Sequence, residues 1–267
     1  MLYVPADNAR ALDKARHVDA DALILDLEDS VAAEKKDQAR QAASRAVAAY
    51  RPREVIIRIN RQGSDTGSDY CPEDLEAAVA AKPDAILLPK VHNSAEIGRV
   101  RHTVRDVPLW AMIESPSAVL NLREIASTGV TCLVLGANDL LKEMGARARA
   151  DRANLAYAMS AMVLAARAHG ASALDGVHNH LDDEPGFAAA CAMARDFGFD
   201  GKTLIHPAQV APCNASFVPS GDEVEAAKRV LKAFADNPGK GAIRLDGQMV
   251  EKLHADMATR ILARAGL

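Results

Sequence analysis

The chain has 267 residues, of which 49% are hydrophobic, 4% aromatic and 25% charged, with 32 basic and 36 acidic side chains and a formal net charge of −4. This composition excludes a fibrous or disordered chain, and the interspersed charge leaves no basic stripe for nucleic acid. The four cysteines, Cys71, Cys132, Cys191 and Cys213, form no CxxC pair, which argues against a zinc knuckle or a disulfide framework.

Residues 1–4 run straight into Pro5-Ala6-Asp7-Asn8, too short an apolar run for a signal sequence, and no later run approaches membrane length. A soluble, cytoplasmic protein with no nucleic-acid or membrane partner is therefore expected. Eight short runs read as strands: 2–5, 22–28, 54–60, 85–91, 109–115, 132–137, 172–178 and 201–206. Helical segments separate them, among them 31–49, 73–81 and 152–169, the first helix capped by Asp7 or Asn8 and the one ending at His169 closed by Gly170. Eight β-α units in about 210 residues suit a (β/α)8 TIM barrel better than an open doubly wound sheet. The barrel is expected over 1–220. Residues 221–267 form a helical extension, with helices at 221–236 and 248–265, that packs on its own or a neighbouring subunit.

Side chains alternate across a strand, so one parity in a barrel faces the axis. Ile24, Asp26 and Glu28 share one parity, as do Ile56, Arg58 and Asn60, and Met112 and Glu114. Three strands thus carry polar groups toward the axis at their C-terminal ends, where barrel enzymes build their sites; the competing reading for any one of them is an inter-strand salt bridge. Glu114 and Asp139 follow the fifth and sixth strands, which are neighbours, so both carboxylates reach one ion. An oxygen-only set with room for water suits Mg²⁺, with Mn²⁺ as substitute, better than zinc. Asp26, Glu28 and Asp29 supply outer support to the ion's waters or pair with Arg58, and Arg58 is the candidate anion clamp. Lys90 ends the fourth strand and is either an imine-forming lysine or a plain cation. His178 and His180 form an HxH that, alone, is a weak metal signal, and the acids 182–184 before Pro-Gly read as a helix cap.

Ten segments in order resemble one family nearly end to end: 2–5 (LYVP), 25–31 (LDLEDSV), 58–60 (RIN), 88–91 (LPKV), 112–115 (MIES), 136–140 (GANDL), 175–177 (DGV), 198–202 (GFDGK), 205–210 (IHPAQV) and 245–249 (LDGQM). The sequence resembles the HpcH/HpaI aldolase superfamily, in the citrate lyase β-subunit-like branch with malyl-CoA and citramalyl-CoA lyases. The resemblance implies a TIM barrel and Mg²⁺ on Glu114 and Asp139. It implies a 3-hydroxyacyl thioester of coenzyme A or of an acyl carrier as substrate, touched by Arg58, Gly136 and Asn138. It implies homotrimers, or hexamers built from them, and Asp183, followed by Gly186, as an acid/base group contributed across a subunit interface. Ala6, Ser115, Asn138, His178 and His180 depart from the family's usual residues, which bears on substrate identity.

The expected activity is Mg²⁺-dependent carbon–carbon cleavage of citramalyl-, malyl- or citryl-CoA to an acyl-CoA and a 2-oxo acid. Arg58 steadies the enolate, Asp183 delivers the proton, Lys90 stands behind the metal pair, and Arg10 and Lys14 are candidates for the coenzyme's phosphates. The alternatives are a divalent-metal pyruvate aldolase acting on free acids and a non-catalytic, carrier-docking subunit of a citrate-lyase-like complex.

Overall fold

The computed structural model describes residues 1–62 and 70–267. The chain alternates strand and helix from its start. β1 (Leu2–Pro5), α1 (Ala9–Ala15), β2 (Ala22–Asp26), α2 (Lys36–Ala49), β3 (Glu54–Arg58) and α3 (Pro72–Ala81) come first. β4 (Ala85–Leu88), α4 (Ser94–Val104), β5 (Leu109–Ile113), α5 (Pro116–Leu120) and α6 (Leu122–Ser127) follow. Next are β6 (Cys132–Leu135), α7 (Ala137–Glu143), α8 (Ala156–His169), β7 (Ser172–Asp175), α9 (Glu184–Phe197) and β8 (Gly201–Lys202). The chain ends with α10 (Val210–Phe217), α11 (Gly221–Ala235), the hairpin β9 (Ala242–Leu245) and β10 (Gln248–Glu251), and α12 (Lys252–Arg264).

β1 to β8 lie in sequence order in one parallel sheet. A parallel bridge between Leu2 and Leu204 closes it, with Tyr3 N–H donating to Leu204 O and Leu204 N–H to Met1 O. The fold is therefore the (β/α)8 barrel expected. All eight strands start where the sequence reading starts them and end two to four residues early, apart from β1, which matches at both ends. The difference falls at the C-terminal ends, where the chain leaves the ladder to aim polar side chains at the mouth; Lys90, just past β4, stands at φ 51°.

Parity holds as read. Ile24, Ile56, Leu87, Trp110, Met112 and Val134 fill the barrel interior, while Leu23, Leu25, Val55, Ile57 and Ile86 of the opposite parity are buried beneath the helices. Each such buried side chain contributes about 1.5–3 kcal/mol relative to exposure. Helix ends carry the predicted chemistry: Asn8 caps α1, Gly170 ends α8 at φ 72°, and Asp183 caps α9.

The chain divides into two compact units, Met1–Cys213 and Asn214–Leu267, the boundary falling inside α10. In the second unit, the helix expected over 248–265 is instead β10 followed by α12. Asp246 (φ 50°) and Gly247 (φ 82°) make the two-residue turn between β9 and β10. An Asp-Gly pair of this kind is the standard tight-hairpin signal, and it stood in the sequence unread.

Candidate active site

Strand register sets the site. Asp26 of β2 pairs with Arg58 of β3, and Ile113 of β5 with Leu135 of β6, so Glu114 and Gly136 stand level one step beyond the ladder. All lie at the C-terminal mouth. Arg58 Nε and Nη2 donate to Asp26 Oδ1 and Oδ2, both at 2.7 Å. Asp26 also accepts from the N–H of Glu28 (2.9 Å) and from both the N–H and the hydroxyl of Ser30. Burial alone would push Asp26 up, but Arg58's hydrogen bonds and charge, with those of Ser30 and Glu28, outweigh it and hold the carboxyl below its ordinary value.

The guanidinium fork is thus committed to Asp26, so the salt-bridge reading of this pair is realised. Nη1 remains outside it, 3.0 Å from Glu28 Oε2 without hydrogen-bond geometry. The Tyr3 ring lies 4.8 Å from the guanidinium carbon, a cation–π contact that the sequence reading did not single out. A tyrosine between Leu2 and Val4, on the axis parity, was the available signal.

Lys90 Nζ donates to Glu28 Oε1 at 2.5 Å and to Asp29 Oδ1 at 3.2 Å, and its backbone N–H donates to Glu114 Oε1. Burial favours the neutral amine, yet the hydrogen bonds and charges of Glu28 and Asp29 outweigh it and raise the Lys90 pKa. An imine-forming lysine needs the opposite shift, so Lys90 is an ion-pair cation.

Glu114 is 2% exposed. Burial first, then the charges of Glu28 and Asp139, push its carboxyl up to about 8, against the pull of the Lys90 N–H and Arg58. Asp139, in the first turn of α7, shares with Glu114 a cavity of about 220 Å³ that Asp26, Arg58, Gly136 and Asn138 also line. Among the described residues no histidine or cysteine lines that cavity. Among the described residues no group of three or more His, Cys, Asp or Glu side chains is set to hold a metal, so two carboxylates leave the remaining positions of an ion to water and substrate. The donor chemistry fits Mg²⁺: oxygen only, an excess of acids, and one buried acid whose ionisation its neighbours oppose.

Gly136 touches Glu114 directly. A Cβ there would stand 2.3 Å from Glu114 Cβ and 2.4 Å from Oε2. The amides of Asn138 and Asn179 bond reciprocally, at 2.8 and 3.3 Å, joining the first turn of α7 to the loop after β7 at the cavity. Val177 and Asn179 line the cavity, and alternation turns His178 away, onto Phe187 with ring centroids 5.7 Å apart. Asp183 is not in the lining: its carboxylate accepts from Gly186 N–H at 3.0 Å as the α9 cap and lies 3.8 Å from His178 Nε2. Arg10 and Lys14 line a second cavity of about 350 Å³, which shares Tyr3 and Ile205 with the first.

A family model described as HpcH/HpaI aldolase/citrate lyase matches residues 1–207. A (3S)-malyl-CoA thioesterase from Cereibacter sphaeroides (strain KD131 / KCTC 12085) is 47% identical over 270 residues, covering 99% of this chain and 93% of that one. The citrate lyase subunit beta of Escherichia coli (strain K12) is 35% identical over 284 residues, covering 100% and 93%. Among solved structures, the Mycobacterium tuberculosis protein CitE in complex with magnesium, acetoacetate and coenzyme A matches with a TM-score of 0.86 at 32% identity, over 100% of this chain and 97% of that one. No helix among the described residues is long and apolar enough to cross a membrane.

Proposed function

The chain is an enzyme belonging to the HpcH/HpaI aldolase/citrate lyase family, and we propose that it cleaves a malyl-CoA-type 3-hydroxyacyl-CoA thioester to an acyl-CoA and a 2-oxo acid. The observation that carries this reading is the pair Glu114 and Asp139 facing one cavity, the first of them buried and held against ionisation by surrounding acids. Glu114 and Asp139 would hold the Mg²⁺, which would supply Lewis acidity to the oxo-acid half. The magnesium and coenzyme A bound to the M. tuberculosis relative support both assignments.

The residues of this chain do the rest. As the hydroxyl proton leaves and the bond between the hydroxyl-bearing carbon and the thioester's α-carbon breaks, the oxo-acid half gains its carbonyl and the bonding pair leaves an enolate on the thioester half, which takes up one proton at the α-carbon to become the acyl-CoA. Arg58, kept cationic by Asp26 and seated on Tyr3, puts fixed positive charge beside that enolate without reorganising. Lys90 N–H fixes one oxygen of Glu114, and Gly136 lets the β6–α7 turn close upon it. Asn138 and Asn179, locked to each other, each retain an uncommitted amide N–H for the substrate's carboxylate. Arg10 and Lys14 are proposed to take the coenzyme's phosphates, because their cavity joins the first at Tyr3 and Ile205. A homotrimer or larger assembly, and a carrier-borne thioester in place of coenzyme A, remain part of the proposal on family grounds.

A second reading has its own support: the 47% identical relative is a thioesterase. Hydrolysis uses the same thioester and differs only in which bond opens. Incubating the chain with malyl-CoA and Mg²⁺ separates the two. Cleavage releases glyoxylate and acetyl-CoA with no free thiol; hydrolysis releases malate and one thiol per turnover. If neither appears with malyl-, citramalyl- or citryl-CoA, the proposal fails.

A further inference from the structure

Three side chains outside the cavity are unexplained by the chemistry above: the buried Asp175 and Lys202, and the half-buried Arg152. Asp175, the last residue of β7, is fully buried. Arg152 grips it with both terminal nitrogens, at 2.9 and 2.5 Å, and Lys202 Nζ donates to it at 2.5 Å and also to Gly176 O. Two cations on one carboxylate are more than charge balance requires. None of the three lines the metal cavity.

What they fix is the position of the next residue. A Cβ on Gly176 would stand 2.6 Å from Leu135 O and 3.4 Å from Ala137 N, so the end of β7 presses backbone-to-backbone on the β6–α7 turn. The other side of the same turn is Gly136, pressed on Glu114. Register agrees: Ile113 pairs with Leu135 and Val134 with Leu174, which sets Glu114, Gly136 and Gly176 abreast. The turn is a leaf one residue thick, clamped between the Glu114 side chain and the Gly176 backbone, and Asp139 stands three residues beyond Gly136. Arg152 belongs to the segment that leaves α7, and it holds φ 47°, a left-handed conformation unfavourable to a side chain with a Cβ. Its bidentate grip on Asp175 compensates that strain and ties the far end of the α7 segment to the same point.

We propose that the Arg152–Asp175–Lys202 cluster is a positioning device that, through Gly176, fixes the β6–α7 turn and so sets Asp139 against Glu114 for the divalent ion. It rests on the metal reading of those two carboxylates. The arrangement makes Arg152 act on metal affinity from outside the cavity, as outer-shell groups do at metal sites, where losing one typically weakens binding about 10- to 100-fold.

The test is Mn²⁺ binding by the metal-free full chain, followed by electron paramagnetic resonance, with thermal melting alongside. Arg152→Gln should bind Mn²⁺ about 10- to 100-fold more weakly than the unaltered chain while still melting cooperatively. Arg152→Lys keeps the charge but loses the fork, so it should fold and fall between the two, which covers the case in which Arg152→Gln does not fold. Arg167→Gln is the control: it breaks an equally bidentate pair, to Asp200 at 2.7 and 2.8 Å, at the opposite end of the barrel, and should leave Mn²⁺ affinity within about twofold. Folded Arg152 variants that bind like the unaltered chain, or an Arg167→Gln loss as large as that of Arg152→Gln, overturn the proposal alone. An unaltered chain that binds no Mn²⁺ overturns the metal reading, and the proposal with it.

Discussion

Gly136 lies so close to Glu114 that a methyl group on it would sit 2.4 Å from Glu114 Oε2. Gly136 has φ −97°, so the glycine is there for space and not for a left-handed turn. Gly136→Ala should therefore displace either the carboxylate or the turn that carries Asp139. The expected cost is about 1–3 kcal/mol of stability from overpacking. Divalent-metal affinity should drop at least about tenfold, by analogy with disturbed supporting contacts at other metal sites. Calorimetric metal titration beside thermal melting checks both; unchanged affinity would show that the contact relaxes without moving an oxygen.

Metal binding should be steeply pH-dependent. Glu114 ionises near 8 in the folded, metal-free chain, against an ordinary value of 4.5. Between these values the folded state holds a proton that the unfolded chain has lost, so raising the pH through that window lowers the stability of the metal-free protein. A cation binding Glu114 must displace that proton. Apparent affinity should therefore climb about tenfold per pH unit below 8 and level off above it. Titrations in buffers of different ionisation enthalpy should register close to one proton released at pH 6.5 and much less at pH 9. Glu114→Gln should remove the pH dependence together with the binding.

Much of this site is legible in the sequence. Alternation along β2, β3 and β5 put Asp26, Arg58 and Glu114 on the axis face, because a two-residue period is a local property that neighbours in sequence reveal. What could not be read is what depends on register between strands. The contacts of Gly136 with Glu114 and of Gly176 with Leu135 join residues 22 and 41 positions apart, and nothing in either local sequence marks them. Arg58 shows the same limit: its residue type suited a substrate clamp, but pairing with Asp26 in register commits two of its three nitrogens. The β9–β10 hairpin differs for another reason, since Asp246-Gly247 carries the turn signal while the helix read from 248 onward covers β10.

The phosphate assignment separates binding from chemistry. Arg10 and Lys14 are exposed on α1 and border the second cavity, away from Glu114 and Asp139. Replacing both with Gln should raise KM for a coenzyme A thioester about tenfold or more, on the scale of lost charge-assisted hydrogen bonds, and leave kcat within about twofold. The effect should shrink at high salt, because exposed charges are screened. With a short thioester lacking the nucleotide, the variant and the unaltered chain should behave alike. A fall in kcat instead would place these side chains in the chemical step.

Asp183 carries two roles that one substitution can separate. The family resemblance implies it as an acid/base group contributed across a subunit interface, and within its own chain its carboxylate caps α9 through Gly186 N–H. Asparagine caps a helix as well as aspartate does, so Asp183→Asn separates the two roles. If capping is its task, the variant keeps its melting temperature and its turnover within a few-fold, and only Asp183→Ala loses stability, by about 1 kcal/mol. If it delivers a proton, Asp183→Asn drops kcat by roughly 10²–10⁴ with stability intact. The cap bond to Gly186 N–H predicts the stability loss of Asp183→Ala in either case. Steady-state turnover of the Asn variant with malyl-CoA, read against its melting curve, decides between them.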